Sequence, residues 1–157
     1  MSLHRTCLHS DKFCRLPEQN FRVQLKTDQL VPSHYTEFTQ ILFDNVVSES
    51  LSTSTFSESV LTILRGGTYA ITASVFWSDN PANTRQVIVR ILDKDDVEQS
   101  SFSSTTNVFG FQDSTTASAT LYIPAKSKIS VYARQVSGVA IQALNLPSTF
   151  FEVNLIK

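Results

Sequence analysis

The chain has 157 residues, 41% hydrophobic and 17% charged, with 13 Lys and Arg against 14 Asp and Glu for a formal net charge of -1. That length suits one domain, which buries about 68–70% of its unfolded surface. The near-neutral balance excludes the broad basic footprint of a nucleic-acid binder, and no apolar run approaches the roughly 20 residues of a membrane-spanning helix. Behind Met1–Arg5 there is no apolar stretch, so the expectation is a chain made in the cytoplasm without a secretory signal. Ser (21) and Thr (16) are abundant, and Val, Ile and Thr together favour sheet over helix.

Residues 1–20 carry no strand period and are read as an extended arm, with the domain proper spanning 21–157. From Phe21 onward alternation dominates. Phe21, Val23 and Leu25 share one phase. After the Arg65-Gly66-Gly67 break, Tyr69, Ile71, Ala73, Val75 and Trp77 form a longer one, closed by Ser78-Asp79-Asn80-Pro81. Val87, Val89 and Ile91 precede the turn Asp93-Lys94-Asp95-Asp96. Leu121 and Ile123 are joined through Ala125–Lys128 to Ile129, Val131 and Ala133. Phe151, Val153 and Leu155 alternate with Glu152 and Asn154. No segment has a capped helical stripe. The expected fold is all-β, a single jelly-roll sandwich of about ten antiparallel strands. Its core is predicted to contain Tyr69, Ile71, Val75, Val89, Ile123, Val131 and Val153.

The spacing of several residues is similar to the globular head of the complement component-one-q family, a relative of tumour necrosis factor. Phe38 and Asp44 match its Phe-x5-Asn/Asp element. Leu61, Gly67 and Tyr69, with Ile71 in phase, match its apolar-x5-Gly-x-Tyr strand, and Ser148-Thr149-Phe150-Phe151 resembles the Ser-Thr-Phe opening its last strand. The resemblance covers roughly residues 21–157. It implies a ten-strand jelly roll that usually assembles as a trimer, and no particular ligand.

Catalysis is poorly provided for. All three His (His4, His9, His34) and both Cys (Cys7, Cys14) precede residue 35, so the sandwich has no Ser-His-Asp or Cys-His set, and no enzyme activity is expected. Asp93, Asp95 and Asp96 suit a solvated turn better than a carboxylate pair or a calcium loop. In the arm, His4, Cys7, His9 and Cys14 are weak zinc candidates, with a Cys7–Cys14 disulfide and free thiols as the alternatives; no cofactor is expected. Arg5, Lys12 and Arg15 against Asp11 and Glu18 are too few charges for a phosphate-binding tail. Trp77 reads as core, and Gly66-Gly67 as a turn without the Lys-Ser/Thr of a phosphate loop.

Large apolar residues stand in the outward phases: Phe76, Ile88, Tyr122, Tyr132 and Ile156. With Leu3, Leu8, Phe13 and Leu16 of the arm they are the candidate subunit interface. The stretch Ser100–Thr116 reads as a long loop whose Phe102, Phe109 and Phe111 offer a contact surface. The first functional expectation is a structural component of a virus particle, at a vertex (penton) or minor capsid position, located in the virion. Its partners would be itself, as a trimer or pentamer, and neighbouring capsid proteins tethered by the arm. The alternative is a trimeric recognition or receptor-binding head such as a spike or fibre tip.

Overall fold

The computed structural model describes residues 19–78, 83–108 and 113–156. Among these the regular elements are all strands, in two antiparallel sheets. In chain order they are β1 (Asn20–Gln24), β2 (Gln29–Val31), β3 (Thr39–Gln40), β4 (Asn45–Glu49), β5 (Ser54–Ser57), β6 (Val60–Ile63) and β7 (Gly67–Trp77). Then come β8 (Asn83–Leu92), β9 (Glu98–Val108), β10 (Asp113–Ile123), β11 (Lys128–Gln135), β12 (Ile141–Ala143) and β13 (Phe150–Leu155). The count exceeds the ten expected because β2, β3 and β12 are short additions of two or three residues.

The first sheet is built on β7. β10 pairs with it over its whole length, from Asp113↔Trp77 to Ile123↔Gly67. On its other edge lies β13, followed outward by β1 and β4, with β12 and β2 continuing at the Trp77 end. The second sheet runs β5-β6-β11-β8-β9, with β3 also on β11.

Alternation decides what each sheet buries, because successive side chains point to opposite faces. Tyr69, Ile71, Ala73, Val75 and Trp77 of β7 face Val87, Val89 and Ile91 of β8 and Ile129, Val131 and Ala133 of β11, all fully buried. All seven core residues expected from the sequence are there. At the β1 side the core is aromatic: Phe21 lies 4.9 Å from Phe56 and 6.3 Å from Phe151, and Phe43 lies 6.2 Å from Phe151.

The turns follow local chemistry. Glu58 (φ 51°) and Ser59 (φ 62°) make a two-residue hairpin loop between β5 and β6, the geometry that matches strand twist. It is pinned by the Ser59 hydroxyl donating to the Phe43 carbonyl at 2.8 Å. Asp93 organises the β8–β9 turn. Its Oδ1 accepts from the N–H groups of Asp95 (2.8 Å) and Val97 (3.0 Å), and Asp96 takes a left-handed φ of 63°.

Contrary to the expectation from sequence, Ser100–Thr116 is not a long loop: its described residues are most of β9 and the start of β10. Phe102 sits opposite Val89 and packs partly buried against the core, because β9 carries its inward phase on Ser100, Phe102, Ser104 and Thr106. A mostly hydroxylic strand reads as a loop. Phe109 and Phe111 lie outside the described residues.

Candidate subunit interface

The two sheets present very different outer faces. On the second sheet, Arg90 stacks over Tyr132 (4.7 Å) and Phe38 (5.4 Å), and Arg134 stacks over the same Phe38 (4.8 Å). Arg134 also donates to the Tyr35 carbonyl (2.6 Å) and Gln86 Oε1 (2.7 Å), and Lys128 meets Asp96 at 2.7 Å. This is a charged face on which Phe38 and Tyr132 are covered by arginine side chains of the same chain. Ile88 and Tyr132 belong to it, and the cover over Tyr132 accounts for a large aromatic in an outward phase.

The first sheet is quiet. Register places Tyr122 beside Thr68, Thr120 in a row with Ala70 and Asn154, and Ser118 in a row with Thr72 and Glu152. Thr116 lies beside Ser74 and Phe150, and Ser114 beside Phe76. The outward positions of β7 and β10 carry no charge. On β13 and β1 the outward charges are Arg22 and Glu152, which neutralise each other at 2.6 Å. Glu152 is held further by Asn154 Nδ2 at 2.9 Å, and Asn154 by Asn20 at 2.7 Å. Partial burial pushes the Glu152 carboxyl up, but these hydrogen bonds and the Arg22 charge outweigh it, so it titrates below the ordinary glutamate range. Arg22 in turn lies 3.9 Å over the Phe150 ring.

Phe76, Tyr122 and Ile156 therefore share this face, Phe76 at one end and the other two at the opposite end. Tyr122 is 67% and Ile156 53% exposed. Small side chains, two protruding apolar residues and depleted charge are the composition of an interface core. On one side the sheet ends at β10, eleven residues without Lys or Pro, which lies next to β9 of the second sheet.

The acidic turn has no site to offer. Asp93, Asp95 and Asp96 spend their oxygens on turn amides, Gln99, Lys94 and Lys128. The Val97 amide does most to hold the Asp93 carboxyl below its usual value. Among the described residues no group of three or more His, Cys, Asp or Glu is placed to hold a metal, and no helix there is long and apolar enough to cross a membrane. His4, Cys7, His9 and Cys14 lie outside the described residues, as do Leu3, Leu8, Phe13 and Leu16. Trp77 is core, its Nε1–H donating to Thr115 Oγ1 at 3.1 Å.

Two buried polar residues escaped the sequence reading. Arg85, 2% exposed, lies 5.8 Å from the Trp77 ring, and Gln135 donates to the carbonyls of Val31 and Val139. Their phase was the available signal: each sits on the same parity as its strand's apolar residues.

The strand order and the two packed sheets define the fold: a jelly-roll sandwich. No protein-family model matches the chain, and no curated protein matches it in sequence. Among solved structures it is similar to murine APRIL at pH 5.0, with a TM-score of 0.69 and 11% identity over 88% of this chain and 99% of that one. It is also similar to Eiger TNF from S. frugiperda, with a TM-score of 0.65 and 11% identity over 90% and 94%. At such identity the likeness is one of fold.

Proposed function

We propose that the chain is a non-enzymatic, self-assembling jelly-roll subunit, and that it serves as a structural component of a virus particle at a vertex (penton) or minor capsid position. The observation that carries self-assembly is the charge-depleted outer face of the β10–β7–β13–β1 sheet, where the outward Arg22 and Glu152 neutralise each other. Copies meet on this face around a rotation axis, as closed oligomers do. The absence of His and Cys beyond residue 34 supports a role without catalysis. In this reading the protein is made in the cytoplasm and ends in the virion, its N-terminal arm reaching neighbouring capsid proteins.

A receptor-binding head is the second reading, favoured by the likeness to APRIL and Eiger, which spans nearly all of both chains. Thr72→Arg tests the shared part. Thr72 is central on the face, and a guanidinium there meets no described acid beyond the already paired Glu152. The variant is expected to fold and to run as a monomer in light scattering. An unchanged oligomer moves the interface elsewhere. Antiserum labelling of purified particles separates the two finer readings: vertex labelling supports the capsid role, and labelling confined to cell surfaces supports the receptor role.

A further inference from the structure

We propose that the outer face of the second sheet carries a docking site for one carboxylate of an acidic protein segment, taken by the guanidinium groups of Arg90 and Arg134 around Phe38. Register sets the site up. On β11 and β8, Ser130 stands opposite Arg90, Tyr132 opposite Ile88 and Arg134 opposite Gln86. The pairing of Tyr132 with Gln40 brings β3, and Phe38 just before it, to the edge of β11. Arg90 reaches along this face over Tyr132 (4.7 Å) to Phe38 (5.4 Å), and Arg134 stacks on Phe38 at 4.8 Å. Two like charges therefore share one ring, and they repel each other.

Both arginines keep charge and donors in reserve. Arg134 pairs with no acid among the described residues. Its Nη1 and Nη2 donate to neutral acceptors, the Tyr35 carbonyl (2.6 Å) and Gln86 Oε1 (2.7 Å), and its Nε is buried without an acceptor. Gln86 is oriented by its own donation to Ser103 Oγ at 3.3 Å. Arg90 has one acid, Glu98, 3.8 Å from its Nε, which is too long for a hydrogen bond, and it donates none to the described residues. The stack on the rings and the neutral acceptors fix where each guanidinium sits without cancelling its charge. Such a fixed fork is what recognition of a carboxylate by arginine requires.

The charge balance chooses the occupant. Around Phe38 two cations face one acid, Glu98, because Lys128 is paired with Asp96 at 2.7 Å and Glu37 turns to His34 Nε2 at 3.7 Å. One positive charge is left over, and a single carboxylate balances it. A polyanion such as a nucleic acid or a sulfated glycan would meet Glu98, Asp96 and Glu37 around it. The border of the site favours a protein segment over a free acid. Tyr35, whose carbonyl Arg134 holds, is 80% exposed, and β9 sets Ser101 and Ser103 beside Arg90 and Ile88. Arginine and tyrosine are the residues that most often carry binding energy at protein surfaces. The site belongs to the second sheet and the face between copies to the first, so the proposal does not depend on how copies assemble.

The test is an NMR titration of the isotope-labelled full chain with the capped peptide acetyl-Ala-Phe-Glu-Phe-Ala-amide, followed at the arginine Nε–H signals and the amides of Tyr35 and Phe38. The signals of Arg90 and Arg134 are expected to shift and saturate, and the same peptide with Gln in place of Glu should bind at least tenfold more weakly. Arg134→Gln should lose the Glu peptide by a similar factor. Glu98→Gln, at an exposed position, removes the competing acid and should tighten the Glu peptide about threefold or more, an effect that a purely structural role for the arginines would not produce. Equal binding of the two peptides, no saturable shift, shifts confined to other residues, or an unchanged affinity in Glu98→Gln overturns the proposal. A sulfated oligosaccharide that shifts the same signals at lower concentration than the peptide also overturns it, because the site would then be one for polyanions.

Discussion

Single side chains already show how this sandwich manages polarity. The Trp77 indole is buried, so its N–H requires an acceptor, and Thr115 Oγ1 supplies it. Thr115→Val keeps the shape and removes the acceptor. It should cost about 1–3 kcal/mol, read as a lowered denaturant midpoint with unchanged slope. Glu152 is the acid-sensitive residue of the outer face. Its native pKa lies below its ordinary value near 4.5, so the stability it contributes is present above that value and is lost as pH falls through the lower native one. Glu152→Gln should therefore flatten the acid limb of a stability–pH profile while changing little at pH 7 beyond the worth of one partly exposed ion pair, about 1 kcal/mol. A profile of identical slope below pH 4.5 would mean that the Arg22–Asn154–Asn20 network does not hold the carboxylate in solution.

At the scale of elements, legibility tracked burial on one face. β7, β8, β11 and β13 could be read because each has an apolar phase against a polar one, the pattern that specifies register in a half-buried strand. β9 could not, because an edge strand at the side of the sandwich needs little apolar surface, and Phe102 is its main anchor. β2, β3 and β12 are too short to show a period. The same difference predicts mutational cost. Val131→Asp puts a carboxylate in the middle of β11 between β6, β3 and β8 and should abolish soluble expression, since nothing apolar there compensates an ion. Phe102→Ser should cost about 1–2 kcal/mol and leave a folded protein, because the side chain is half covered. Comparable losses at both positions would show that β9 is as central as β11. The candidate interface was half legible. The sequence picked out Phe76, Tyr122 and Ile156 as large for outward positions, but phase alone cannot say which sheet a strand joins. It therefore grouped them with Ile88 and Tyr132 on the opposite face. The cation–π cluster over Tyr132 depends on Phe38, far away in the chain, and no local pattern announces it.

For the whole molecule, a near-neutral chain with one charge-depleted sheet face and one charged face is asymmetric in what it can bury. Removing residues 1–12 should leave the melting temperature within about 1–2 °C of the parent, a shift smaller than the ~2–4 °C expected per kcal/mol in a chain of this size. It should weaken attachment to neighbouring copies or capsid proteins. Asn20, in contrast, donates to Asn154 and Ser50, accepts from the Ser50 and Leu51 amides, and belongs to the fold. The central claim is that the sandwich completes itself by meeting copies of itself across the β10–β7–β13–β1 face. The most direct measurement is the absolute mass of the purified full chain by light scattering at tens of micromolar. The account predicts three or five times the 17.5 kDa of one chain; a single species at 17.5 kDa across the concentration range would contradict it.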